Sequence, residues 1–202
     1  MTVNHDKKMR EIIEANRKAG IVPRLLMHAC CAPCSSACIE RIKDDFDLTV
    51  YFYNPNMDSA KEYELRKSEE ERLCEELKVK ELSEEYSPKE FLCAIKGLED
   101  APEGGARCEK CFYLRLKRTA EKAKELNFTY FTTTLTLSPL KDADKINGIG
   151  ERIEKETGVK FLPCDFKKRD GYLRSIRLSE KFGLYRQNYC GCAFSLKSGK
   201  GE

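Results

Sequence analysis

No run of this 202-residue sequence is apolar and long enough to cross a bilayer, and its first residues, Met1-Thr-Val-Asn-His-Asp-Lys-Lys, are polar where a secretory signal would be apolar. A cytoplasmic location without membrane contact is the expectation. Internal repeats, low-complexity tracts and long linkers are missing too, so one α/β domain spanning 1–202 is expected. Charge of one sign is not in excess: Lys+Arg is 37 against Asp+Glu 34, a net +3 and a pI near 8.2. So mild a balance does not announce a nucleic-acid-binding protein, and any such surface has to be a local patch. The hydrophobic fraction of 41% suffices for an ordinary core.

What the sequence does have is cysteine, 11 of them. Structural disulfides are rare in a reducing cytosol, so grouped cysteines there point to metal binding or redox chemistry. Seven fall into three tight groups: Cys30, Cys31 and Cys34; Cys108 and Cys111; Cys190 and Cys192. The isolated Cys38, Cys74, Cys93 and Cys164 read as small buried hydrophobes.

Hydrophobic spacing organises the chain around these groups. Residues 6–19 read as a helix closed by Gly20, RLLMHA (24–29) as a short buried strand, and SSACIERIKDD as the next helix. DLTVYFY (47–53) is a β-branched, aromatic strand ended by Asn54-Pro55-Asn56. A charged helix follows over 59–78, with Asp58 or Ser59 as its cap, and a second starts at Ser87-Pro88 and leads through EFLCAIKGL. After a loop at 99–107 come an amphipathic helix over 108–126, a strand over 128–137, a helix over 142–157, a strand over 159–163 and a helix over 170–182. Repeated strand–helix units imply a Rossmann-like open, mainly parallel sheet flanked by helices, with a helical insertion at 58–126. In such sheets ligands sit outside the carboxyl ends of the strands. Cys30 and Cys31, Asn54, Ser138-Pro139, and Cys164 with Asp165 all follow strands directly and share that rim.

The strand-to-helix turn at Cys30-Cys31-Ala-Pro-Cys34 favours thiolates, the metal-binding and nucleophilic form. Cys108 and Cys111, spaced i and i+3, can share a helix face. Cys190-Gly-Cys192 bends tightly at its glycine and suits one metal or a reversible disulfide. A structural zinc module needs its two pairs closer in sequence than these are. A thioredoxin-like dithiol, suggested by Cys31-Ala-Pro-Cys34, leaves Cys30, Cys108 and Cys111 unused. A [4Fe–4S] cluster takes two pairs from separate segments, leaves Cys190 and Cys192 for redox work, and uses the most residues. An ATP-using tRNA thiolase is excluded because no glycine run follows the first strand to cradle phosphates.

In their order along the chain, six motifs resemble those of the QueH-type epoxyqueuosine reductases. They are Cys30-Cys-Ala-Pro-Cys34, Tyr53-Asn-Pro-Asn56, Arg107-Cys-Glu-Lys-Cys-Phe-Tyr113, Thr133-Thr-Leu-Thr-Leu-Ser-Pro139, Asp165-Phe-Lys-Lys and Leu184-Tyr-Arg-Gln-Asn-Tyr-Cys-Gly-Cys192. Met57 stands where an aliphatic residue is expected after Asn56. The resemblance implies reduction of the epoxide of epoxyqueuosine to the cyclopentene of queuosine at the wobble position of tRNA, without cobalamin. It implies a [4Fe–4S] cluster on Cys30, Cys31, Cys108 and Cys111, a redox pair in Cys190 and Cys192, and a second iron beside the cluster, served by Cys34 and Asp165. The electron donor is left unnamed. Asp165 or Tyr189 would supply a proton, and Lys167, Lys168, Arg169, Arg174, Arg177 and Arg186 would meet tRNA phosphates. Tyr113, Tyr185 and Tyr189 are candidates for base stacking, with buried packing as the alternative. His28 reads as a packed strand residue and His5 as a surface one.

Overall fold

The structure is a computed structural model and describes residues 3–198 of the chain. Five strands, β1 (Arg24–Ala29), β2 (Asp47–Phe52), β3 (Lys80–Ser83), β4 (Tyr130–Thr133) and β5 (Lys160–Phe161), form one sheet in the order β3-β2-β1-β4-β5. Every pairing is parallel. Between and around them run α1 (His5–Lys18), α2 (Ala32–Ile42), α3 (Ala60–Leu77), α4 (Lys89–Ala94), α5 (Ala106–Glu125), α6 (Ala143–Thr157), α7 (Gly171–Lys181) and α8 (Ala193–Ser198). Among the described residues no helix is long and apolar enough to cross a membrane.

Period-two side chains on the central strands split the core into two layers. Leu25, Met27 and Ala29 of β1, with Val50 and Phe52 of β2, pack against Met9, Ile39, Leu73 and Leu178 from α1, α2, α3 and α7. On the other face Leu26 and Tyr51 meet Leu116, Ala120, Ile146 and Ile153 from α5 and α6. Leu25, Leu26 and Met27 are completely buried, and each contributes roughly 1.5–3 kcal/mol by leaving water.

Four expectations are corrected. The segment 58–126 is not helical throughout: it supplies β3, whose charged, half-exposed KELS pairs with β2 at the sheet edge and shows no apolar run. The stretch 128–137 is a strand only over β4, because the Thr133 hydroxyl accepts from Leu135 N and turns 134–137 into a 3₁₀ helix that leaves the sheet. The helix begun at Pro88 ends at Ala94, well short of Leu98. His5 is buried, its Nε2 2.8 Å from Asp144 Oδ1 of α6.

Candidate active site and metal centre

The sheet order reverses direction on either side of β1, so β2 and β4 diverge from a crevice at its carboxyl end. The chain delivers Cys30 and Cys31 into that crevice. Cys31 has extended backbone and caps α2 without a side-chain hydrogen bond, leaving its thiol available, and Pro33 in the first turn starts the helix. One turn on, Cys34 returns to the same place. The three sulfurs lie within 4.8 Å of one another, with Cys30 and Cys31 3.8 Å apart.

Neighbouring strand ends hold this turn. Thr134 Oγ1 accepts from Cys30 N at 3.2 Å and donates to its sulfur at 3.5 Å. Asn54, just beyond β2, donates through Nδ2 to the Ala29 carbonyl at 2.8 Å and accepts at Oδ1 from Arg115 Nη1. Arg115 also donates to the Cys111 carbonyl, which ties the Cys108/Cys111 segment to the first turn. His28 bonds Thr133 Oγ1 and the Tyr53 carbonyl, and burial lowers it to about 3, so it is a neutral packed residue.

Two cavities meet here. The larger, about 490 Å³, is lined among others by Cys30, Cys31, Cys34, Cys190, Arg66 and Tyr189. The smaller, about 160 Å³, has Cys108, Cys111, Cys190 and Cys192 in its wall. Arg115, Lys141 and Cys190 line both, so all three cysteine groups converge. The Cys190-Gly191-Cys192 turn is seated by Asp58 N, which donates to the Gly191 carbonyl at 2.8 Å, and by Tyr189, stacked on the Arg66 guanidinium at 5.0 Å. Met57 supports it from below: a Cβ on Gly191 would lie 2.6 Å from the Met57 sulfur.

The electrostatics favour anions. Hydrogen bonds from Cys31 and Cys34, with Lys141 and Thr134, hold Cys30 well below the ordinary thiol range against its burial. The proton is kept by its neighbours, and Cys31 rises to about 12. Cys190 is lowered in the same way, by a hydrogen bond with Cys192 and by Lys141 and Arg115. Burial works against the charge of Arg115, but the cysteines around it raise its pKa. Arg115 is 1% exposed, its Nη2 has no hydrogen-bond partner, and no carboxylate lies within ion-pair reach of it among the described residues. A cluster of three thiols, one of them made more acidic and with cations beside it, is a donor set that fits a metal: Cys30, Cys31 and Cys34 can hold one.

Other candidates fall elsewhere. Asp165 is buried but does not line either cavity; its Oδ1 lies 3.6 Å from Lys167 Nζ, which donates to the Lys141 carbonyl. Tyr113 bonds Glu156 and lines neither cavity, whereas Tyr185 is exposed and Tyr189 is at the cavity wall. Arg174 pairs with Glu40, and Arg186 lines the larger cavity. Cys164 is buried between Thr132 and Thr136, and Cys38 and Cys74 are buried as expected, but Cys93 is exposed on α4. Sequence reasoning missed Arg66, Arg115 and Lys141. For Arg115 a signal exists: one helical turn after Cys111 it must share that residue's face.

Comparison with known proteins agrees with this geometry. A family model described as "Epoxyqueuosine reductase QueH" matches residues 25–198. The protein of that name from Streptococcus pyogenes serotype M1 is 41% identical over 201 residues, covering 96% of this chain and 79% of that one. Its namesake from Staphylococcus epidermidis is 40% identical over 98% of this chain and 87% of its own, and that from Thermotoga maritima 39% identical over 85% and 90%. A solved NMN synthetase from Francisella tularensis aligns with 97% of this chain and 91% of its own at a TM-score of 0.41 and 9% identity, too remote a likeness to bear on function. With a family model spanning most of its length and relatives at such identity, the chain belongs to the epoxyqueuosine reductase QueH family.

Proposed function

We infer that this chain is the oxidoreductase that reduces the epoxide of epoxyqueuosine in tRNA to the cyclopentene of queuosine, the last step in making that nucleoside. The observation that carries the reading is the meeting of all three cysteine groups at one crevice in a member of this family. Removing the epoxide oxygen as water takes two electrons and two protons. Closing Cys190 and Cys192, hydrogen-bonded to each other, to a disulfide supplies the two electrons of one turnover and whatever protons the pair carries, and solvent supplies the remainder. An electron donor then restores the dithiol.

Cys30, Cys31, Cys108 and Cys111 are proposed to hold a [4Fe–4S] cluster, and Cys34 a second iron. Such iron would pass single electrons and act as a Lewis acid toward oxygen. Arg115 and Lys141 supply the fixed positive charge that thiolates in a buried cavity require. The 490 Å³ cavity admits one nucleoside-sized group beside Cys190. Asp165 acts at one remove, through Lys167 on the segment that carries Lys141. The enzyme is proposed to work in the cytoplasm.

The test is an anaerobic preparation, expected to be brown with about four or more irons and comparable sulfide per chain. It should convert epoxyqueuosine-tRNA when given a reductant. Cys108→Ser or Cys111→Ser should lose iron and activity together, whereas Cys190→Ser or Cys192→Ser should keep most iron and lose activity. A colourless protein inert toward this tRNA after reconstitution would overturn the assignment, and equal iron loss in all four variants would remove the dithiol role.

A further inference from the structure

Away from the reaction crevice, α2 and α7 enclose a second concavity of about 310 Å³. Four guanidiniums, of Arg41, Arg169, Arg174 and Arg177, line it against two carboxylates, of Glu40 and Asp170. Glu40 is committed: it holds Arg174 through two hydrogen bonds of 2.7 and 2.6 Å. Arg41 is committed as well: it donates through Nη2 to the Lys168 carbonyl, and its Nη1 pairs with Asp6 Oδ1 at 3.7 Å without a hydrogen bond. Arg169 and Arg177 are exposed and have no ion-pair partner among the described residues. The concavity therefore carries a positive excess that the protein itself does not neutralise.

Its position relative to the crevice is what gives that charge a meaning. Both helices that form it also form the reaction cavity. Tyr172 and Ser175 line the cavity from one face of α7, and Leu173, Arg174 and Arg177 line the concavity from the opposite face, as the 100° step of a helix requires. On α2, Pro33 and Cys34 border the cavity, and Ala37, Glu40 and Arg41 border the concavity. At 1.5 Å per residue that is about 5–10 Å farther along the helix. A stacked nucleic-acid strand advances about 3.4 Å per nucleotide. Spanning α7, about 10–12 Å wide with its side chains, takes about three nucleotides at that advance, so a strand that places one nucleotide in the cavity carries phosphates to where the guanidiniums stand.

We propose that this arginine-lined concavity binds the phosphodiester backbone of the RNA strand next to the nucleotide being reduced. Arginine suits the task, since its planar fork pairs two phosphate oxygens at once and keeps its charge at every working pH. The proposal deepens the tRNA reading above and rests on it. It also sorts the basic run that the sequence offers as a whole: Arg169 and Arg177 reach phosphate, Arg41 lines the concavity from a distant part of the chain, and Lys167 is turned inward onto the Lys141 carbonyl.

The experiment measures equilibrium binding of epoxyqueuosine-tRNA to iron-loaded protein across a salt series. The Arg169→Gln/Arg177→Gln double variant is expected to bind about tenfold more weakly at moderate salt. Its plot of log affinity against log salt should be shallower by about two, because two phosphate contacts no longer release counterions. Iron content and melting temperature matching wild type establish that the fold is intact, and an Arg169→Lys/Arg177→Lys variant should regain most of the slope. A wild-type slope in the glutamine variant, or the same loss in the lysine variant, overturns the proposal. Failure of the wild-type protein to bind or convert this tRNA overturns the tRNA reading instead.

Discussion

Glu70 is completely buried on α3, one turn after Arg66, with Oε2 unbonded. Burial, reinforced by the nearby Cys30 and Glu81, raises it from 4.5 to about 8 despite a hydrogen bond with Ser35. The folded chain thus holds a proton that the unfolded chain releases between pH 4.5 and 8. More protons bound in the native state means that stability falls as pH rises through that window. The loss is roughly 1.4 kcal/mol per pH unit at its steepest. Glu70→Gln keeps the shape without the charge, so its stability should be nearly flat where wild type declines, and the variant should be the more stable of the two at pH 8. Denaturant unfolding at pH 5, 6.5 and 8 measures this; parallel pH profiles for the two proteins would show that Glu70 is ionised at no cost in the native state.

At the level of elements, the Cys190-Gly191-Cys192 turn and α8 are held by named contacts with the rest of the molecule, Cys192 packing with Phe91, Ile95 and Cys111. Asp58 N binds the Gly191 carbonyl, Tyr189 lies on Arg66, and the Arg107 guanidinium sits 4.5 Å over the Phe194 ring. Gly191 has φ +102, a conformation that other residues rarely adopt, and an added Cβ would press on Met57 and Arg66. Met57, which in the sequence stands where an aliphatic residue is expected, is here the flexible thioether that fills the space beneath the turn. Gly191→Ala should lift Cys190 and Cys192, the proposed redox pair, away from Arg115 and Lys141, with activity falling at least about tenfold because small misplacements at a reacting centre are costly. Under the proposed ligand assignment iron should remain near the wild-type level, since the turn contributes no ligand to the cluster. Steady-state kinetics beside iron analysis tests it, and an alanine variant of full activity would show that the turn tolerates displacement.

Taken whole, the molecule gathers thiols and cations at one crevice, where the groups that offset the Arg115 charge are cysteines. Without metal, Arg115 is a buried cation with no carboxylate beside it, a costly arrangement. Metal that binds the native state and not the unfolded one adds its binding free energy to stability. Chelation should therefore lower the melting temperature of wild type by several degrees. Arg115→Met replaces an uncompensated charge with an apolar chain of similar reach. It should melt no lower than wild type after chelation and clearly lower when both are loaded. Calorimetry on the four samples decides this, and an equal loss in both states would make Arg115 a packing residue with no bearing on the centre.

Much of this was legible from residues alone, for physical reasons that can be named. β1 and β2 show as apolar and β-branched runs because both their faces are buried, and α3, α5 and α6 show through their spacing. Cys30, Cys31, Cys34, Cys108 and Cys111 lie close enough in sequence to advertise their grouping, and the position of Cys30 just after a strand already put it on the sheet's binding rim. β3 stayed hidden because an edge strand with two solvated sides needs no apolar pattern, and His5 because its partner Asp144 is 139 residues away. Only the tertiary structure set Cys190 against Cys30, left Asp165 out of the cavity wall, and brought Arg66, Arg115 and Lys141 to the thiols. Those meetings depend on how α3, α5 and the 138–141 turn pack around the switch point, and no periodicity in a single segment records which side chains of distant segments will face one another. Charge compensation in a buried site is a property of that packing, so the sequence by itself determined the strands and the cysteine chemistry, and the fold decided which cations would stand beside them.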